Sequence, residues 1–149
     1  MSDSMILTKL LNYTIQSTKT VIPIPFDMAK PKLMSKNEVN ANLGVLIGMT
    51  GDYKGQIILK GSAETFSQIA LAMFGMAAEG EFLMSFTGEL GNMLAGNMMT
   101  FASEEGIAMD ITTPTIWEGN TTLHNVKSPV ELPIVFEGAG EISYIISVG

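Results

Sequence analysis

The chain has 149 residues, 46% of them hydrophobic and 15% charged, which suits one folded domain with a core of useful size and argues against disorder. It has no cysteine and a single histidine, His124, so disulfides, thiol catalysis, thiolate metal sites and multi-histidine metal sites are excluded. A net charge of −7 with only eight Lys and Arg leaves too few cations for a basic face, which sets nucleic acid aside and leaves a protein partner or a small substrate.

Ser4 to Val21 patterns as an amphipathic helix, with Leu7, Leu10, Leu11, Thr14 and Ile15 on one stripe and Ser2, Asp3 and Ser4 available as caps. Pro23 and Pro25 stop it, and Ile22 to Lys32 is expected to be a connector. The apolar run Val39 to Thr50, the turn Gly51-Asp52 and the run Gly55 to Leu59 predict a β-hairpin. Ser62 caps a second helix, Ala63 to Phe74, which Gly75 ends. A longer helix follows from about Glu79 to Glu105, with Gly106 at its end. Five short strands are expected after it: Ala108 to Ile111, Thr115 to Trp117, Thr121 to Val126, Val130 to Phe136 and Ile142 to Val148. The order predicts an α+β fold over residues 1–149 as a single domain, with helices packed on a largely antiparallel sheet and a weak two-fold echo between the halves. Most of the twelve methionines fall at apolar helix positions, where they read as adaptable core filling.

The long helix carries the candidate chemistry. At ~100° per residue, with Glu89 at zero, Leu83, Phe86, Leu90, Met93, Leu94 and Phe101 form a buried stripe, while Ser85, Glu89, Asn92 and Gly96 share another face. Glu89 and Asn92 are i, i+3 neighbours pointing the same way. No basic residue stands three or four positions from Glu89. Gly88, Gly91 and Gly96 each cost ~1 kcal/mol relative to alanine inside a helix, so they need a reason. Close packing within the chain and close approach by another macromolecule are both open. Glu104 and Glu105 read as a solvated helix end, His124 as a surface or edge residue, and Trp117 as core or interface packing.

The string Gly88-Glu89-Leu90-Gly91-Asn92, with Ser85 before it and Pro114 after it, resembles the motif of the CheC, CheX and FliY family of chemotaxis phosphatases, and the CheX branch most of all. Asp110 to Thr115 and the hairpin around Leu46 to Gly55 resemble the family as well. The resemblance implies a phosphatase acting on the aspartyl-phosphate of a CheY-like response regulator. Asn92 would orient the attacking water, because a carboxamide offers donor and acceptor together. Glu89 would pair with the regulator's active-site lysine, and Ser85, Gly88, Gly96 and Pro114 would contact the partner. No cofactor is implied in this chain; magnesium belongs to the phosphorylated regulator. CheC and FliY carry two such sites, whereas here neither other helix contains Glu-x-x-Asn, and one site per chain is the CheX pattern, which goes with a homodimer. A catalytically silent interaction module of the same fold is the alternative, although it has no need of the Glu89 and Asn92 pair. Glu89 and Glu104 lie roughly 22 Å apart along a helix, too far to act as a carboxylate pair. No apolar run reaches the ~18 residues of a membrane span, and the first residues lack the pattern of a signal peptide, so a cytoplasmic location is expected.

Overall fold

A computed structural model describes all of residues 1–149. Three helices, α1 (Asp3–Val21), α2 (Ala63–Phe74) and α3 (Gly80–Glu104), pack on an eight-stranded antiparallel sheet. Its strands are β1 (Phe26–Met28), β2 (Lys32–Leu33), β3 (Glu38–Gly51), β4 (Gly55–Gly61), β5 (Met109–Ile111), β6 (Thr115–His124), β7 (Val130–Phe136) and β8 (Gly140–Val148). The helices end where the sequence says they should. Ser62 accepts a hydrogen bond from the Thr65 amide to start α2, and Gly75, at φ 77°, closes it in the left-handed conformation that glycine adopts without penalty.

The strand order β1-β7-β8-β4-β3-β5 turns the two-fold echo into geometry. Each half of the chain supplies a helix, two flanking strands and a hairpin: α1, β1, β2, β3 and β4, then α3, β5, β6, β7 and β8. The hairpins join through β4 and β8, where Ile58 stands opposite Ile145. Each half lends its short strand to the other, β1 pairing with β7 and β5 with β3. The helix α2 has no counterpart.

Two expectations need correction. The connector Ile22 to Lys32 contains β1 and the start of β2, both paired to β7. Such short edge strands leave no periodic signal, and their pairing depends on a partner a hundred residues away in sequence. The pieces Thr115 to Trp117 and Thr121 to Val126 are one strand, β6, which continues through Gly119 at φ 96° and pairs with β3 on both sides of a bulge near Ala41. Across the bulge β6 uses one residue more than β3, Gly119 and Asn120 standing against Asn42, and beyond it Val39 lies on the opposite face from Leu43 and Val45.

The main core lies between helices and sheet, built on Val45, Ile47, Leu59, Leu132, Ile134, Tyr144 and Ile146 from the strands and Leu10, Leu90, Leu94 and Met98 from the helices. A smaller cluster, Val39, Ile58, Val126 and Ile145, lies on the other face of the sheet with Trp117 beside it. Trp117 is half-buried, donates its indole N–H to the Ala41 carbonyl at 3.1 Å, and lies flat enough on β3 that a Cβ at Gly44 would meet its ring at 2.5 Å.

The buried face of α1 is more polar than its leucine stripe suggested. Ile6, Leu10, Tyr13, Thr14, Ser17 and Thr18 are buried, whereas Leu7, Leu11 and Ile15 are only half-buried. Small hydroxylated residues let α1 cross α3 closely while every buried polar group finds a partner. Ser17 donates to the Leu94 carbonyl at 2.7 Å, Thr14 lies 3.6 Å from the Met98 sulfur, and the Thr18 hydroxyl lies 2.7 Å from that of Tyr144.

Candidate active site

The helix α3 presents its two faces as the spacing dictates. Leu83, Phe86, Leu90 and Leu94 are buried, and Met93 and Phe101 half-buried. Ser85 and Glu89 are exposed and Asn92 is half-buried. The ion pairs of the chain join Lys9 to Glu105, Lys36 to Glu38, Lys60 to Glu131 and His124 to Glu38, so Glu89 has no cation of its own. The asparagine carboxamides engaged within the chain are those of Asn40 and Asn120, which leaves Asn92 free to bond outward.

What the sequence separates by more than twenty residues, the fold brings together. Ser85, Gly88, Glu89 and Asn92 face the link between β5 and β6 across an open groove of about 640 Å³, whose far wall is Thr112, Thr113 and Pro114 with Ile111 and Ile116 at its ends. That wall is fixed. The Thr112 hydroxyl accepts from the Gly48 amide at 2.9 Å, and the Thr112 amide donates to the Gly48 carbonyl at 3.0 Å. The preceding turn is tied down by Asp52, whose carboxylate accepts from the Ala108 amide at 2.9 Å. Thr112 is a positioning residue that spacing alone did not single out; its side chain replaces a strand pairing that only the fold reveals.

The three glycines divide. A Cβ on Gly88 would lie 2.6 Å from Cδ1 of Ile116, and one on Gly91 would lie 2.7 Å from Cγ1 of Val45. Both glycines let α3 settle onto the strands beneath it, so packing within the chain accounts for them. Gly88 still forms part of the groove. Gly96 has nothing within 4 Å of its Cβ position and does not line the groove, although it shares the Asn92 side of the helix. Close approach by a partner remains a reason for Gly96 alone.

Glu105 is not the plain solvated end that the sequence suggested. The Tyr13 hydroxyl donates to its carboxylate, and Lys9 lies 3.4 Å away. The Tyr13 hydrogen bond, helped by Lys9, holds the Glu105 carboxyl below its ordinary range. Burial first, and then Glu105, pushes the Tyr13 phenol up to about 12. Lys9, Asn12, Tyr13 and Glu105 line a second groove of about 490 Å³ where α1 meets the end of α3. Lys9 and Asn12 repeat the i, i+3 spacing of Glu89 and Asn92 on the helix that the pseudo-two-fold relates to α3. His124 sits on the edge strand β6, 3.2 Å from Glu38 and well exposed.

Comparison with known proteins gives a consistent picture. The family model described as Chemotaxis phosphatase CheX matches residues 43–143. The chain is 32% identical over 120 residues to the CheY-P phosphatase CheX of Thermotoga maritima, covering 78% of this chain and 77% of that protein. It is similar in fold to the chemotaxis protein CheX of Desulfovibrio desulfuricans, with TM-score 0.80 and 19% identity over 97% of this chain and 99% of the other. The CheX chain of the CheX-CheY complex with beryllium trifluoride and magnesium from Borrelia burgdorferi matches with TM-score 0.76 and 21% identity, over 95% of this chain and 96% of that one.

Proposed function

The chain belongs to the chemotaxis phosphatase CheX family, and from that premise we propose that it removes the phosphoryl group from the aspartate of a CheY-like response regulator, with Asn92 and Glu89 as the working residues. The observation that carries the reading is the pair itself. A carboxylate without a cation and a carboxamide without a partner stand side by side on the outer face of a rigid helix, beside a fixed wall. A polar pair left unmatched on a buttressed helix is ready to be matched by something else.

In the reaction, water attacks phosphorus, the bond from phosphorus to the aspartate oxygen breaks, and the regulator recovers its carboxylate while inorganic phosphate departs. Little covalent chemistry is asked of the phosphatase, so placing the water in line is its main contribution. The Asn92 carbonyl oxygen accepts a hydrogen bond from the water and turns its lone pair toward phosphorus. Glu89 pairs with the regulator's lysine and sets the depth and angle at which α3 enters. The charge on the phosphoryl group is met by magnesium held in the regulator, so this chain needs no metal of its own. Ser85 and Pro114 border the entry, and Gly96 lets the partner's surface come close further along the helix.

The test is to phosphorylate candidate response regulators on aspartate in magnesium buffer and follow loss of the phosphoryl group with and without this protein. Acceleration of one regulator is the expected result; binding to regulators with no acceleration of any would replace the enzyme with a silent interaction module.

The homodimer belongs to the same proposal. Strand β6 pairs with β3 on one side only, which leaves a ten-residue edge able to extend the sheet into a second copy. Sedimentation at twice the chain mass is expected; a monomer at micromolar concentration would overturn it. The location proposed is the cytoplasm, where response regulators act; no helix of the structure is long and apolar enough to cross a membrane.

A further inference from the structure

Seven residues before Glu89, on the same helix, stands Phe82. Seven steps of ~100° bring it within about 20° of the Glu89 direction, and a 1.5 Å rise per residue places it about 10 Å along the axis. Phe82 is 38% exposed. It leans on Phe86, with ring centroids 6.4 Å apart, and Phe86 in turn takes Phe74 edge-on at 5.9 Å and 89°. Phe86 is buried, but Phe74 is 56% exposed, as are Leu71 one turn earlier on α2 at 44% and Met76 just beyond it at 57%. Where the end of α2 meets the start of α3, the chain thus keeps an aromatic shelf in water, with Glu79 and Glu81 as the charges beside it. Single exposed apolar residues need no explanation, but two exposed phenylalanines on one buried aromatic ring, with Leu71 and Met76 exposed beside Phe74 in sequence, do.

We propose that this shelf, with Phe82 at its centre and Phe74 behind it, is the anchor on which the response regulator docks, separate from the residues that perform the chemistry. The inference rests on the phosphatase reading and adds to it where the affinity comes from. Three observations select this occupant. The first is continuity: Phe82, Ser85 and Glu89 share one face of one helix, so a partner that closes over Glu89 and Asn92 meets Phe82 next along that face. The second is area. A specific complex buries roughly 800 Å² on each partner, a patch that reaches farther than the ~10 Å between Phe82 and Glu89. The third is charge. Glu89 is the one charged residue in the groove, so apolar burial has to supply what electrostatics does not.

The test separates affinity from turnover. Phe82→Ser and Phe74→Ser, both at exposed positions and checked for folding by circular dichroism, are assayed on the phosphorylated regulator, and their affinity for the beryllium fluoride-activated regulator is measured directly. The expected result is a rise in KM and Kd of about tenfold for Phe82→Ser, with kcat within about twofold of wild type. Wild-type KM and Kd in both variants, alongside an active wild type, would overturn the shelf and leave the phosphatase reading intact. A wild type that binds without turning over would remove the phosphatase reading, and the same loss of affinity in Phe82→Ser would still uphold the shelf. A wild type that neither binds nor acts would overturn both. A change in sedimenting mass with regulator affinity untouched would make the shelf a contact between copies of this chain, which also overturns the proposal.

Discussion

Asn92→Ala is expected to lower the turnover of phosphorylated regulator by on the order of 100-fold, the scale set by losing alignment of the attacking group. The fold should not suffer. Asn92 is half-buried, holds no partner within the chain, and sits in a helix where alanine is the better helix former by about 0.5 kcal/mol. Thermal unfolding therefore stays at or slightly above the wild-type midpoint while the rate collapses. Regulator affinity should change little, because Glu89 and the apolar surface remain. Asn92→Asp makes the comparison sharper: it keeps the shape but replaces a donor and acceptor with an acceptor-only anion facing a phosphoryl group, so it too should be nearly inactive. Time courses of phosphoryl loss at saturating phosphatase check both variants. A rate for Asn92→Ala within about threefold of wild type would move the water-positioning role to another group.

The chemistry-bearing helix was readable because its signals are local. A 3.6-residue period, a missing cation near Glu89 and a glycine just after α2 and after α3 are properties of consecutive residues, and the structure places them accordingly. Other features depend on what lies opposite in space. The sequence could place Gly88, Gly91 and Gly96 on α3, but only the positions of Ile116 and Val45 show that two of the three serve packing. Thr112 looked like any polar residue before a proline until its hydroxyl was found on the Gly48 amide. Alternation reveals which face a strand residue takes but not which strand stands beside it. The central pairing of β4 with β8, and the exchange of β1 and β5 between halves, were therefore visible only as an echo. The polar inner face of α1 failed the leucine pattern for a related reason: Thr14 and Thr18 bond the Leu10 and Thr14 carbonyls of their own helix, and α3 and β8 supply partners for Ser17 and for the Thr18 hydroxyl.

Two substitutions of the same kind, one turn and a half apart on α3, are expected to move stability in opposite directions. In Gly91→Ala the new methyl falls 2.7 Å from one methyl of Val45 and 3.3 Å from the other, with Ile47 Cδ1 at 3.4 Å. Val45 is fully buried in β3, which is paired on both sides, and its branched side chain is stiff about its first torsion. Overpacking of this kind costs about 1–3 kcal/mol, more than the ~1 kcal/mol that alanine returns as a helix former. The alternative to distorting Val45 is to lift α3, and lifting α3 shifts Glu89 and Asn92 against the Thr112 to Pro114 wall. Activity should therefore fall along with the melting temperature. In Gly96→Ala the methyl meets nothing, so the helix-forming gain of ~1 kcal/mol appears undiminished, raising the midpoint by roughly 2–4 °C for a chain of this size. If Gly96 is kept bare for a partner, that more stable variant has a higher KM for the phosphorylated regulator and an unchanged kcat. A Gly96→Ala protein that is both more stable and equally tight in binding would remove Gly96 from the partner surface, whereas a Gly91→Ala protein with wild-type stability would mean that α3 and β3 are less closely seated than 2.7 Å implies.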